Sequence, residues 1–105
     1  MKTSELTGAA LDWAVAIALG KRPSLFIYQR TGSLAPEHNY STDGAQGILI
    51  MERENISVTS QTNGHSWAAK GAHNYSYGPT PLTALMRCYV ASKMGDEVEI
   101  PEELK

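Results

Sequence analysis

The apolar positions fall into two helical stripes near the ends of the chain, with shorter, strand-like runs between them. In "ELTGAALDWAVAIALG", Leu11, Val15 and Ala18, with Ala14 and Leu19 beside them, recur at the spacing of one helical face. Thr7 stands where an N-cap would, Leu6 and Leu11 bracket it as a hydrophobic staple, and Gly20 followed by Pro23 ends the pattern. A helix over 7–19 is predicted. At the other end Thr80 and Pro81 open a second stripe, Leu82, Leu85, Met86, Tyr89, Val90 and Met94, and Gly95 closes it, which predicts a helix over 80–94.

Between them, "LFIYQ" at 25–29 is aromatic and β-branched and reads as a strand, and 30–41 reads as a loop. A short helical stretch is expected over part of 43–54, ending at Asn55. "ISVTS" (56–60) alternates as a strand does, Asn63-Gly64 is a hairpin signal, and 66–71 is the returning strand. Residues 72–79 read as an irregular loop with a short third strand at its start. The order predicts an α+β domain, a small antiparallel sheet of three to four strands packed with an N-terminal and a C-terminal helix.

Polarity changes most abruptly at the centre, where "NYSTDGAQG" (39–47) runs straight into "ILIM". A capped turn feeding the core accounts for that contrast, with Ser41 or Thr42 as the N-cap and Asp43 in the first turn. A binding loop accounts for it too: free N–H groups at a helix start and two glycines permit close approach of a ligand.

Length and composition narrow the classes. One hundred and five residues suit one domain, here with an acidic tail at 96–105. No apolar run is long enough to span a bilayer, and the first residues do not read as a signal peptide, so host-cell cytoplasm is the expected setting. Nine Lys and Arg face eleven Asp and Glu, five of those acids lying in the tail, which argues against broad nucleic-acid binding while leaving a local anion site open. Cys88, the only cysteine, allows no internal disulfide and suits a small buried hydrophobe.

Candidate chemistry is sparse. His38, His65 and His73 lack metal-ligand spacing and read as surface histidines, so neither metal nor cofactor is expected. Ser, His and Asp are present without a nucleophile elbow or a phosphate loop, and no enzyme is expected. Arg87, beside the last apolar stripe, suits a fork-shaped clamp on an anion near the 41–47 loop, or pairing with an acid. Tyr75 and Tyr77, in a cluster with Tyr28, Tyr40, Trp67 and Tyr89, suit stacking on a ring or contact with a partner. In the tail, Val98 and Ile100 alternate with acids and offer an edge strand to this chain or to another, so a homodimer is conceivable.

"KTSELTGAALDWAVA", "YSTDGAQG…IMEREN-ISV" and above all "TPLTALMRCYVASKMGDEVEIPEEL" resemble the NinX family of phage accessory proteins over nearly the whole chain. A weaker likeness to the phage ABA sandwich domain implies a helix–sheet–helix layering. In the family an aromatic residue commonly follows Ser-Thr-Asp and Gly-Gly-Pro often precedes the apolar pair. Here Gly44 and Gly47-Ile48-Leu49 stand instead, and a missing side chain at Gly44 is expected to open a cavity or loosen the loop. The resemblance implies a phage accessory protein, and the missing reaction centre a non-catalytic one. Two roles follow as expectations. One is capture of a small polar or nucleotide-like ligand, such as a host defence signal, by Tyr40, Ser41, Thr42, Asp43, Gln46, Tyr75, Tyr77 and Arg87. The other is a protein-binding module that inhibits or adapts a host or phage enzyme.

Overall fold

A computed structural model describes residues 1–61, 66–71 and 74–105. Four α-helices, α1 (Gly8–Ala18), α2 (Leu25–Thr31), α3 (Gly44–Glu54) and α4 (Pro81–Met94), accompany three strands, β1 (Ser57–Ser60), β2 (Trp67–Lys70) and β3 (Tyr75–Gly78), among the described residues. The strands form one antiparallel sheet in the order β1-β2-β3, with Val58 opposite Ala69 and Ala69 opposite Ser76. The fold is therefore α+β, as the pattern predicts. The Asn63-Gly64 turn lies outside the described residues.

Helix α4 organises the molecule. Thr80 Oγ1 accepts the Thr83 N–H at 3.1 Å, Pro81 occupies the first turn, and Gly95 ends the helix at φ 85°. Leu85, Met86, Cys88, Tyr89 and Val90 are all buried around its circumference, because α4 packs on all three strands and also on α1 and α3. A helix apolar on more than one face belongs between two layers. The layering is thus sheet, α4, then α1 and α3, not the helix–sheet–helix order that the sandwich likeness implies. Among the described residues α4 is the helix that packs on the three strands.

Two glycines permit the close approaches. At Gly78 a Cβ would stand 2.8 Å from the Ala84 nitrogen, so β3 turns into α4 only with glycine there. At Gly47 a Cβ would meet the Leu82 side chain where α3 crosses α4.

Two expectations need correction. Residues 25–29 form α2, not a strand: Ser24 Oγ caps Ile27 N–H at 3.4 Å, and Gly32, at φ 80°, ends the helix. Those helix signals outweigh β-propensity. The third strand lies at the end of the 72–79 stretch, not at its start. The acidic tail packs onto the body, with Val98, Ile100 and Leu104 buried and Lys2 bridging Glu97 antiparallel, one of the two pairings its alternation allows. Val98 N–H donates to Met1 O at 2.9 Å. The tail's alternation therefore pairs within this chain.

Candidate functional site

The eight candidate residues separate into two groups. Tyr40, Ser41, Thr42, Asp43 and Gln46 lie between α1 and α3. Asp12, on α1, accepts the Ser41 N–H at 2.8 Å. Asp43, rather than Ser41 or Thr42, is the N-cap of α3, accepting the Ala45 N–H at 3.0 Å. Gln46 Nε2 donates to Pro36 O at 3.1 Å. Tyr40 and His38 are both buried, with Tyr40 Oη 3.3 Å from His38 Nδ1. His38 is thus a core histidine, contrary to the surface reading; His65 and His73 lie outside the described residues.

Asp12 is the residue that sequence reasoning passed over. It is 7% exposed, and burial raises its carboxyl above the ordinary 3.8, partly offset by the hydrogen bond from Ser41 and the nearby His38. A carboxylate on the buried stripe of an apolar helix is itself the signal, because such a group persists only with a partner. Ser41, His38 and Asp12 are a nominal hydrolase set, yet each is less than a tenth exposed. Ser41 Oγ has no hydrogen-bond partner among the described residues, and being buried it offers no route for a substrate.

The apolar run after this segment does not simply feed the core. Ile50 is buried, whereas Ile48 and Leu49 are 51% and 69% exposed. No side chain or backbone atom lies within 4 Å of a Cβ placed at Gly44, which is itself exposed, so its missing side chain opens no cavity.

Tyr75, Tyr77 and Arg87 form the second group, around a groove of about 510 Å³. One wall is β3 and its continuation to Pro79. The other is Lys2, Thr3 and Ser4 with Asp96 and Glu97, and Arg87 and Ala91 of α4 also line it. The second wall is held together by the Lys2–Glu97 bridge and by Thr3 N–H, which donates to Asp96 O at 2.8 Å. Tyr75 and Tyr77 project from the same face of β3. Their rings stack at 6.5 Å and 16°, with Lys70 Nζ 5.7 Å from the Tyr75 centroid. They are 59% and 56% exposed, whereas Tyr40 and Tyr89 are buried, so the predicted aromatic cluster is divided between surface and core.

Arg87 neither reaches the 41–47 loop nor pairs with an acid among the described residues. Its Nε donates to Leu6 O at 2.9 Å and one terminal nitrogen donates to Tyr77 O at 2.7 Å. The guanidinium therefore ties the N-terminal segment to β3, and partial burial lowers its pKa. Lys2 and Arg87 are balanced in the groove by Asp96 and Glu97. None of 40–46 lines it.

A second concavity, of about 380 Å³, lies beyond Asn74 and includes Cys88 and the Glu54–Lys93 ion pair. Asn74 Nδ2 donates to Cys88 O at 3.1 Å, and the buried thiol, raised above its ordinary value by desolvation, suits packing rather than reactivity. Among the described residues no group of His, Cys, Asp and Glu is arranged to hold a metal, and no helix is long and apolar enough to cross a membrane.

A family model described as Bacteriophage P22, NinX matches residues 2–93, most of the chain. No curated protein matches it.

Proposed function

The chain belongs to the bacteriophage P22 NinX family, a phage accessory protein, and from that premise we propose that it is a non-catalytic binding module of the host cytoplasm. Its partner is a host or phage protein docked at the groove beside Tyr75 and Tyr77. The carrying observation is the pair of stacked, exposed tyrosines on β3 set next to a partly buried arginine of α4 that bonds the Tyr77 carbonyl. Tyrosine and arginine are the residue types that dominate protein interfaces, where broad rings exclude water at small entropic cost.

A small polar or nucleotide-like ligand is the second reading, favoured by the size of the groove, which lies within the usual range for such sites. Its chemistry fits less well. Two Arg87 N–H groups already serve main-chain carbonyls, and Asp96 and Glu97 oppose a phosphate. The 39–47 segment that was to complete the ligand site is bonded to α1 and to the Pro36 carbonyl instead.

A photo-crosslinking residue at Tyr77, compared with one at the exposed Glu52 on α3, separates the readings in infected cells. The expected result is one discrete protein adduct from position 77 and none of that mass from position 52. Identical adduct patterns from both positions, or none from 77 beside a co-purifying small molecule, would overturn the protein-binding reading. With the partner in hand, Tyr75→Ala is expected to weaken binding by roughly 30-fold or more, the loss typical of a central aromatic anchor.

A further inference from the structure

Resting on that protein-binding reading, we propose that the partner enters the groove as an extended segment and adds a fourth strand to the free edge of β3. Two independent bonds fix which backbone groups face that edge. Gly71 N–H donates to Asn74 O at 3.0 Å, so Asn74 is turned toward β2. Residues alternate in an antiparallel ladder, which turns Ser76 and Gly78 toward β2 as well, and Tyr75 and Tyr77 outward. The Arg87 bond to Tyr77 O agrees, since that carbonyl is reached from outside the sheet.

The outward set comprises Tyr75 N–H, Tyr75 C=O, Tyr77 N–H and Tyr77 C=O. Arg87 takes the last. Among the described residues the other three have no backbone partner beyond the sheet, and they line the groove rather than a crowded surface. The opposite sheet edge, β1, lines neither concavity.

Unpaired main-chain donors and acceptors in a row specify another main chain as occupant, in the manner of strand addition. The side chains and charges define the class further. A residue across from Tyr75 or Tyr77 on the same face meets a ring, so aromatic or β-branched residues at alternate positions of the incoming segment gain most. Lys2 and Arg87 against Asp96 and Glu97 leave the groove without net charge, which complements a segment of no net charge and selects against an acidic or basic one. Arg87 blocks the carbonyl at one end, so the pairing is confined to Tyr75 and the Tyr77 N–H. That short register limits sheet-to-sheet aggregation.

Amide hydrogen exchange on the whole chain tests this directly. The probes are synthetic eight-residue peptides of zero net charge, with Val, Ile, Thr or Tyr at alternate positions, and the same peptides N-methylated along one backbone edge. In the free protein, Ser76 and Gly78 amides are expected to be protected and those of Tyr75 and Tyr77 to exchange quickly. Unmodified peptides should slow Tyr75 and Tyr77 exchange at least tenfold, and N-methylation should remove the effect. Tyr75→Ala removes the ring but keeps the outward N–H, so it should weaken binding yet still show Tyr77 protection at saturating peptide. Tyr75→Pro removes the ring and the N–H together and should abolish protection at any peptide concentration.

Three outcomes overturn the inference: no peptide binds, binding leaves both exchange rates unchanged, or N-methylated peptides bind equally well. Protection that rises with protein concentration alone overturns it too, by placing a second copy on the edge. A discrete crosslink from position 77 together with any of these leaves the protein-binding reading standing and removes only the strand addition.

Discussion

Residues 39–47 and the edge of β3 are both polar in sequence and both border the core, yet they use their polar groups in opposite ways. In the first, backbone N–H groups and two side chains bond within the protein: Ser41 N–H to Asp12, Ala45 N–H to Asp43, Gln46 Nε2 to Pro36 O. In the second, the side chains look ordinary for a loop, while the backbone leaves donors and an acceptor facing a groove. Density of polar side chains measures how much bonding a segment needs to be buried. Unpaired backbone beside a concavity measures what it has left to offer a partner.

The largest expected effect tests whether Arg87 is part of the β3 wall. Arg87→Ala removes two charge-assisted bonds, from Leu6 O and Tyr77 O, and should cost about 3 kcal/mol in urea unfolding. Arg87→Lys, with one ammonium in place of a planar fork, should fall between. A variant that unfolds like the wild type would mean that the N-terminal segment and β3 stand without the clamp, and the contrast between a closed and an open end of the edge would be lost.

Asp12 probes the other region. Asp12→Ala leaves a buried Ser41 N–H without its acceptor, which should cost about 1–3 kcal/mol. Asp12→Asn keeps an acceptor oxygen and removes a charge that burial opposes. The carboxyl titrates higher in the folded chain than at its ordinary 3.8, so the native state holds a proton that the unfolded chain has already released. Stability contributed by this group should therefore fall as pH rises from about 3.8 through the higher native value, and stay level above it. Asp12→Asn should abolish that slope and be no less stable than wild type at neutral pH. If it instead loses as much as Asp12→Ala, the carboxylate has a role beyond bonding Ser41, and the 39–47 region regains its claim as a site.

The end helices are legible because their boundary residues are strong signals: Thr80, Pro81 and Gly95 each act as read, and Leu6 and Leu11 are both fully buried on either side of Thr7, although Thr7 itself makes no side-chain cap bond. It misplaced α2 because "LFIYQ" carries strand-forming side chains, while Ser24 and Gly32, the residues that decide, lie just outside it. The site was half legible. Tyr75, Tyr77 and Arg87 are visible as residue types, but their meeting depends on the register of β3 with β2 and on the close packing at Gly78. Lys2, Asp96 and Glu97, from opposite ends of the chain, become neighbours only through a long-range bridge that no local pattern announces.

The smallest effect is expected where the likeness to the NinX family raised the sharpest question. Gly44, at the start of α3, stands where an aromatic residue commonly follows Ser-Thr-Asp, and its missing side chain was expected to leave room in the loop. A Cβ there meets nothing within 4 Å, the position is exposed, and its φ is not left-handed. Gly44→Phe should therefore change unfolding free energy by less than about 0.5 kcal/mol, the usual range for a surface substitution away from any special contact. It should also leave crosslinking from position 77 unaltered, because residues 40–46 do not line the β3 groove. A large stabilisation would show that an aromatic ring folds back onto the exposed Ile48 and Leu49, making α3 a second apolar docking face. Unchanged stability with lost crosslinking would connect the two regions functionally and break the separation between them.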